Sequence, residues 1–489
     1  MSRLAFLIDF GSTFTKVTAV DLDRSRIVGR SQAPSTVLTD VRDGLLEALN
    51  RLNERHAFFP RRPAHLDALA AHTVLASSSA AGGLKLAVIG LVPGLTVEAA
   101  KTAALGAGAK LTGSWSFKLS EQAIAEIEGL GPDIILLTGG TDGGDSATLL
   151  HNARLLARAA LAVPLIIAGN RVASGEAAVL LRAGGKEVRL AENVLPAAGR
   201  LSVESAREEI RKLFMERITQ AKGLDKLRGI VPVVLPTPMA VLQGALLGAR
   251  GSGEEDGWGD MLVVDVGGAT TDVHSIGEGR PTGPHIAERG LPEAYAKRTV
   301  EGDLGIRFNA VALTERIGFE RFEREFRGAF PRLAVPKGAI IDYIKGLGVD
   351  TSRTPVDAWQ NAVDAQLARA AVDFAVERHA GKRERIVARE GEAWMHYGKD
   401  LSDIRVLIGT GGVFTYNPYA AHVLSGTRAG NGRYEVLRPR SAARFIDSSY
   451  LLYAVGLLAE KRPDVALQIF KKNMMPVAIS ESGKENRIR

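Results

Sequence analysis

Two stretches far apart in this chain are versions of one device: Phe6-Leu-Ile-Asp9-Phe-Gly11-Ser12-Thr13-Phe-Thr15-Lys16-Val-Thr and Met261-Leu-Val-Val-Asp265-Val-Gly267-Gly268-Ala-Thr270-Thr271-Asp272-Val. Each reads as an apolar, β-branched strand, an Asp near its end, a turn of Gly and hydroxyl residues, and a second strand. An Asp at a strand end can hold Mg²⁺ through its water shell, because that hard ion takes oxygen ligands and keeps most of its waters. Gly, Ser and Thr let backbone N–H groups and hydroxyls approach phosphate oxygens with no bulky side chain between. Two such turns facing each other would clamp a polyphosphate. A single Asp-Gly turn between strands is commonplace, whereas the ordered pair points to phosphate binding.

A third element, Val406-Leu-Ile-Gly409-Thr410-Gly411-Gly412-Val-Phe414, is an apolar strand running into a glycine turn that suits a flat base and ribose against bare backbone. Together the three resemble the phosphate-1, phosphate-2 and adenosine motifs of the superfamily of actin, sugar kinases, heat-shock chaperone ATPases and reactivating factors. Thr237-Pro-Met-Ala-Val-Leu-Gln-Gly-Ala245 and Ser449-Tyr-Leu-Leu-Tyr-Ala-Val-Gly456 stand where that fold has two crossing hinge helices.

Composition narrows the function. At 489 residues the chain exceeds one core and splits into two or three domains. Cysteine is absent, which excludes disulfides, a thiolate nucleophile, Cys-ligated zinc and iron–sulfur clusters. The cluster-bearing activators of 2-hydroxyacyl-CoA dehydratases, which share the ATPase core, are excluded with them. The His residues form no His-Glu-x-x-His pair. The net charge of +7 is scattered and sign-alternating, as in Glu320-Arg-Phe-Glu-Arg-Glu-Phe-Arg327, with only Lys484–Arg489 locally basic. No nucleic-acid partner is expected. No apolar run reaches the roughly 18 residues of a membrane span, and Asp9 interrupts the first apolar stretch, so no membrane partner and a cytoplasmic location are expected.

Along the chain, a hairpin and an amphipathic helix over Arg42 to Asn53 open the first half of the ATPase. Leu84 to Leu91 reads as a buried strand. Thr96 to Gly106 is a helix with Thr96 as N-cap, and Ser120 to Leu130 is another. Asp133 to Thr138, Val163 to Ala168 and Glu187 to Leu190 are strands, with helices over Ala147 to Ala160 and from Ser174. Such alternation means a doubly wound parallel sheet. It resembles the cobalamin-binding domain of adenosylcobalamin mutases but lacks the cobalt-ligating Asp-x-His-x-x-Gly, since Val92-Pro-Gly-Leu follows its first strand. The generic reading, a doubly wound sheet without that function, stays open beside it. A charged helix spans Val203 to Arg228, and helices dominate from Arg307 to about Arg389. The expected fold is α/β: an actin-like ATPase of duplicated ribonuclease H-like domains with an inserted doubly wound α/β domain. The expected division is 1–75, first half of lobe I; 76–200, the insert; 201–250, return and hinge helix; 251–489, lobe II.

Ile8-Asp-Phe-Gly-Ser-Thr, Ser77-Ser-Ser-Ala-Ala-Gly-Gly-Leu-Lys, Leu137-Thr-Gly-Gly-Thr-Asp-Gly-Gly, Ala168-Gly-Asn, Asn193-Val-Leu-Pro and Thr299-Val-Glu-Gly-Asp-Leu-Gly resemble, end to end, the glutamate mutase accessory protein L family, which is unrelated to the mismatch-repair protein of the same name. The resemblance implies an ATP-dependent reactivating factor for an adenosylcobalamin-dependent mutase, working as a slow Mg²⁺-dependent ATPase. It would release damaged cobalamin and hold none tightly, with the mutase subunits as partners. Homo-oligomerisation stays open. Asp9 and Asp265 are the expected Mg²⁺ and catalytic residues, Asp265 also orienting the attacking water. Gly11, Ser12, Thr13, Gly267, Gly268, Thr270 and Thr271 would cradle phosphates, with Lys16 reaching toward them. Gly409, Gly411 and Gly412 would flank the adenosine. Glu301 and Asp303 sit where a second-lobe helix could touch ribose or adenine, though a charged helix N-terminus is the plainer reading. Asp142 could bind an anion or a partner or equally close a tight glycine turn, and Asp272 can cap its turn. A small-molecule kinase and a non-catalytic, ATP-switched scaffold are the alternatives.

Overall fold

Strands covered on both faces read as unbroken apolar runs, and Ala5–Phe10 and Met261–Val264 are buried throughout. The computed structural model describes residues 3–11, 13–36, 39–59, 65–79, 84–218, 227, 229–281, 286–388, 391–428 and 435–477. The chain forms two units, 1–240 with 290–294 and 241–289 with 295–489, so the division falls within one helix, Thr237–Arg250.

The first unit opens with β1 (Leu4–Phe10), β2 (Phe14–Asp21), β3 (Arg26–Pro34), α1 (Val41–His56) and β4 (Thr73–Ser78). There follow β5 (Lys85–Gly90), α2 (Glu98–Gly106), β6 (Lys110–Ser116), α3 (Glu121–Leu130), β7 (Ile134–Leu137), α4 (Ala147–Arg158), β8 (Leu165–Ile167), α5 (Arg171–Ala183) and β9 (Val188–Leu190). Then come α6 (Glu204–Ile218), β10 (Val233–Pro236) and the start of α7 (Thr237–Arg250). One sheet has the order β10-β4-β1-β2-β3, with β1, β2 and β3 antiparallel and β4 and β10 parallel to β1.

The inserted segment forms its own sheet, β6-β5-β7-β8-β9, parallel throughout. Counted from β5, this is the 2-1-3-4-5 order of a doubly wound fold. Its strands alternate between two cores. Ala87, Ile89, Ile135 and Leu137 face one core, built with α3, α4 and α5. Leu86, Val88, Ile134 and Leu136 join the core beneath β1, with Phe6, Ile8, Ala100 and Ile210. The insert is therefore distinct in topology but shares one of its cores with the first sheet.

The second unit contains β11 (Met261–Val266), β12 (Thr271–Ile276), β13 (Ile286–Arg289), β14 (Ala296–Glu301), α8 (Ala310–Ile317), α9 (Phe319–Ala329), α10 (Lys337–Val349) and α11 (Ala358–His379). It continues with β15 (Lys382–Ala388), β16 (Gly391–Tyr397), β17 (Val406–Thr410), α12 (Gly412–Tyr416), α13 (Ala420–Leu424), β18 (Glu435–Val436), β19 (Ala443–Ile446), α14 (Leu452–Ala459), α15 (Pro463–Asn473) and β20 (Met475–Pro476). Its main sheet, β14-β12-β11-β17-β19-β20, repeats the first: three antiparallel strands, then two parallel to the hairpin's leading strand. This is the duplicated ribonuclease H-like sheet of the actin-like fold. Helices α7 and α14 meet backbone to backbone, since a Cβ at Gly244 would lie 2.4 Å from the Leu452 carbonyl oxygen.

Several expectations need correction. Strand β6 is absent from the sequence reading because Lys110-Leu-Thr-Gly-Ser-Trp-Ser is an edge strand, half-buried except at the exposed Ser114, with no apolar alternation. Thr96 does not cap α2; it sits in a preceding helical turn, where its hydroxyl accepts from the Leu91 and Val92 N–H groups at 2.8 and 3.0 Å. Asn170 caps α5, starting that helix at Arg171 rather than Ser174. The helical region ends at His379, and β15 and β16 pair in a small sheet, β13-β16-β15-β18. Among the described residues no helix is long and apolar enough to cross a membrane.

Candidate functional site

In the first unit the site grows from the end of β1. Asp9 is 1% exposed, and among the described residues three side chains meet its carboxylate. Lys16, directly across the hairpin, donates to Oδ2 at 3.2 Å. Ser77 at the end of β4 donates to Oδ1 at 3.2 Å, and Thr237 at the start of α7 donates to Oδ1 at 2.6 Å. The Gly11 N–H donates to the Phe14 carbonyl at 3.1 Å and closes the turn. A Cβ at position 11 would stand 2.7 Å from that oxygen, so the turn requires glycine. Thr13 is exposed on the turn and its carbonyl accepts from the Ser35 N–H at 2.8 Å. Ser12 lies outside the described residues.

The second unit rebuilds the device in the same register. Asp265 pairs across the hairpin with Asp272 as Asp9 pairs with Lys16, and the Gly267 N–H closes the turn on the Thr270 carbonyl at 2.9 Å. A second layer supports this turn. The Gly267 carbonyl accepts from the Ile306 N–H, and the Gly268 carbonyl accepts from those of Arg307 and Phe308. Gly305 allows the approach, since a Cβ there would lie 2.3 Å from the Ala269 carbonyl carbon. Thr271 is fully buried and donates to the Leu304 carbonyl at 2.7 Å, bracing the turn from behind. Arg307 reaches on to the buried Asp364 at 2.6 Å, tying the turn to α11.

The glycine turn after β17 belongs to the same group. Gly411 has φ of +103°, and a Cβ there would lie 2.5 Å from the Val266 carbonyl oxygen and 2.7 Å from Asp265 Oδ1. Only a residue without a side chain lets this backbone lie against the Asp265 carboxylate. Gly409 faces the Phe414 ring at a similarly short distance, and Gly412 begins α12. Thr410 donates to Asp447 at 3.0 Å, and the fully buried Asp447 also accepts from the Leu451 and Leu452 N–H groups. Burial raises the pKa of Asp447, while those bonds favour its charged form.

Glu301 and Asp303 are not at a helix N-terminus. Glu301 ends β14 and Asp303 sits in the following turn, both paired with Arg378 of α11. The Arg378 bonds hold Asp303 well below the usual carboxylate range, whereas burial lifts Glu301. Asp142 accepts from the Arg171 N–H and the Asn193 amide, both at 2.9 Å, and so closes the insert's glycine loop. Ser77, Thr237, Arg298 and Arg307 gained no role from the sequence. Only Thr237 had a local signal, a Thr-Pro pair at a helix start.

The donor chemistry fits a nucleotide with a hard cation. Among the described residues no three His, Asp or Glu side chains form a metal cage. Mg²⁺ bound with phosphates needs only one or two carboxylates, and each hairpin offers one beside a glycine turn.

A model of the MutL protein family matches residues 5–474. The chain belongs to the MutL family. It is 40% identical over 474 residues to Protein MutL of Clostridium tetanomorphum, covering 96% of this chain and 99% of that one. Among solved structures it is similar to the ethanolamine utilization protein EutJ of Carboxydothermus hydrogenoformans, at 11% identity over 96% of this chain and 90% of that chain, with a TM-score of 0.29. Xylulose kinase from Bifidobacterium adolescentis shows 13% identity over 97% and 94% of the two chains, with a TM-score of 0.28. A glycerol dehydratase reactivase shows 10% over 94% and 100%, also at 0.28. The fold assignment of this MutL family member rests on its strand order, not on those likenesses.

Proposed function

We propose that this MutL family member is an ATP-dependent reactivating factor for an adenosylcobalamin-dependent mutase such as glutamate mutase, acting on the mutase subunits and releasing damaged cobalamin as ATP turns over. Family membership supports the reading, and the twinned hairpin carries it. Each unit has a carboxylate at a strand end and a glycine-closed turn in one shared register.

In this reading Asp9 and Asp265 hold hydrated Mg²⁺, which would neutralise phosphate charge. The turns after them present backbone N–H groups to phosphates, with Lys16 as a nearby cation. Thr13 and Thr270 line these turns, Thr271 supports one from behind, and Gly409, Gly411 and Gly412 leave bare backbone for the adenosine. Asp265, set against Gly411, orients the water. The insert, as 76–200, and the remaining divisions, 1–75, 201–250 and 251–489, are proposed as working domains.

The test is recovery of a substrate-inactivated mutase from the same source, incubated with this protein, Mg·ATP and excess adenosylcobalamin. Recovery that needs ATP and is lost in Asp265→Ala is the expected result. Absence of recovery with tight ATP binding would overturn the reading, and phosphorylation of an added small molecule would make the chain a kinase.

A further inference from the structure

The two hairpins share a register but not a charge pattern. Across from Asp9 stands Lys16, which pairs with it; across from Asp265 stands a second carboxylate, Asp272. Like charges directly opposite on a sheet destabilise it. The compensating cation comes from the next strand. Arg298 of β14 donates to Asp272 Oδ1 through Nε at 2.9 Å and Nη2 at 2.6 Å. The two side chains are only 3% and 12% exposed, so the pair is held in a weakly screened setting.

The other oxygen of Asp272 has a different task. Oδ2 accepts from the Thr270 hydroxyl at 3.2 Å. A carboxylate only accepts, and a hydroxyl has one proton to give. With that proton directed at Asp272, Thr270 Oγ1 presents lone pairs to its surroundings. A phosphate oxygen wants a donor, whereas a water molecule supplies an O–H.

We propose that Arg298 and Asp272 form a positioning pair that fixes Thr270 as a hydrogen-bond acceptor for water at the Asp265 hairpin, leaving phosphate recognition there to backbone N–H groups. This rests on the reading of that hairpin as a nucleotide site. The water is either one bound to the divalent cation or the one that attacks phosphate, and the two have separate signatures.

The experiment uses the full chain with ATP as probe, measuring affinity with Mg²⁺ and with EDTA, and turnover with the mutase present. The main variant is Arg298→Met combined with Asp272→Asn, which removes both charges and leaves neither buried alone. Arg298→Lys is the conservative control, and melting curves verify folding. The double variant should lose roughly ten- to hundred-fold in turnover, with affinity for ATP in EDTA within about three-fold of the parent. Arg298→Lys should recover part of the loss. A diminished Mg²⁺ enhancement of ATP affinity would mark the cation's water; slower turnover with that enhancement intact would mark the attacking water. The proposal is overturned by a folded double variant with parental turnover and Mg²⁺ enhancement. A loss concentrated in EDTA affinity would also overturn it, because Thr270 would then be donating to phosphate. Failure of the parent to bind ATP would overturn the nucleotide reading as well.

Discussion

At the scale of single residues, the site depends on atoms that are missing. Gly411→Ala places a methyl group against Asp265 in a left-handed backbone, and it should weaken Mg·ATP binding by at least about ten-fold, read by titration calorimetry. Unchanged affinity would remove Gly411 from the site. Thr237→Val takes the shortest of the described hydroxyl bonds from the buried Asp9. The loss should cost about 1–3 kcal/mol in urea unfolding, and an effect within error would show the bond to be dispensable. The glycines and both aspartates are legible in sequence because a turn declares its own conformational needs. The donors to Asp9 are not, because Ser77 and Thr237 reach it only through strand order.

At the scale of elements, the crossing of α7 and α14 depends on Gly244. Its missing Cβ would meet the Leu452 carbonyl oxygen and the Gly456 nitrogen, at 2.4 and 3.2 Å. Gly244→Val should therefore destabilise the second unit by about 1–3 kcal/mol or more, seen as a lowered unfolding midpoint. A variant as stable as the parent would mean the helices separate without cost. Both helices are readable from their apolar runs, but their contact is not. Strand β6 shows the converse, for its place in the sheet comes from pairing with β5 rather than from its own residues.

At the scale of the whole molecule, acid should act through three histidines of the second unit, His274 and His379 fully buried and His422 half-buried. Burial holds His274 down at about 3 and His422 at about 4, and keeps His379 well below the ordinary 6.5. His379 bonds Thr299 and Ser275 at 2.8 Å, while His274 has no hydrogen-bond partner among the described residues. Below pH 6.5 the unfolded chain takes up protons that the folded chain refuses, so stability is full above that pH and falls as pH drops. Each histidine contributes up to about 1.4 kcal/mol per pH unit, roughly 4 together, until its own folded pKa is reached. The buried carboxyls Asp364 and Asp447, raised by burial, pull the other way at the acid end. The descent thus begins near 6.5 and is steepest about a unit or more lower, where the unfolded imidazoles are almost fully protonated and the folded ones are still neutral. Urea unfolding followed by tryptophan fluorescence suits the test, since Trp258, Trp359 and Trp394 all lie in the second unit. A flat profile between pH 6.5 and about 5 would contradict the burial of these rings.

The sequence by itself determined the twinned hairpins, the glycine turn and the alternating insert, because strand–turn–strand and strand–helix periodicities are complete within a dozen or so residues. It also determined the family, whose motifs run the length of the chain. Only the tertiary structure decided that Ser77 and Thr237 hold Asp9, that Arg298 answers Asp272, and that Gly411 lies against Asp265. Those contacts join positions tens to hundreds of residues apart, and sheet order and register bring them together; a pattern confined to neighbouring residues carries no record of which strand comes to lie beside which.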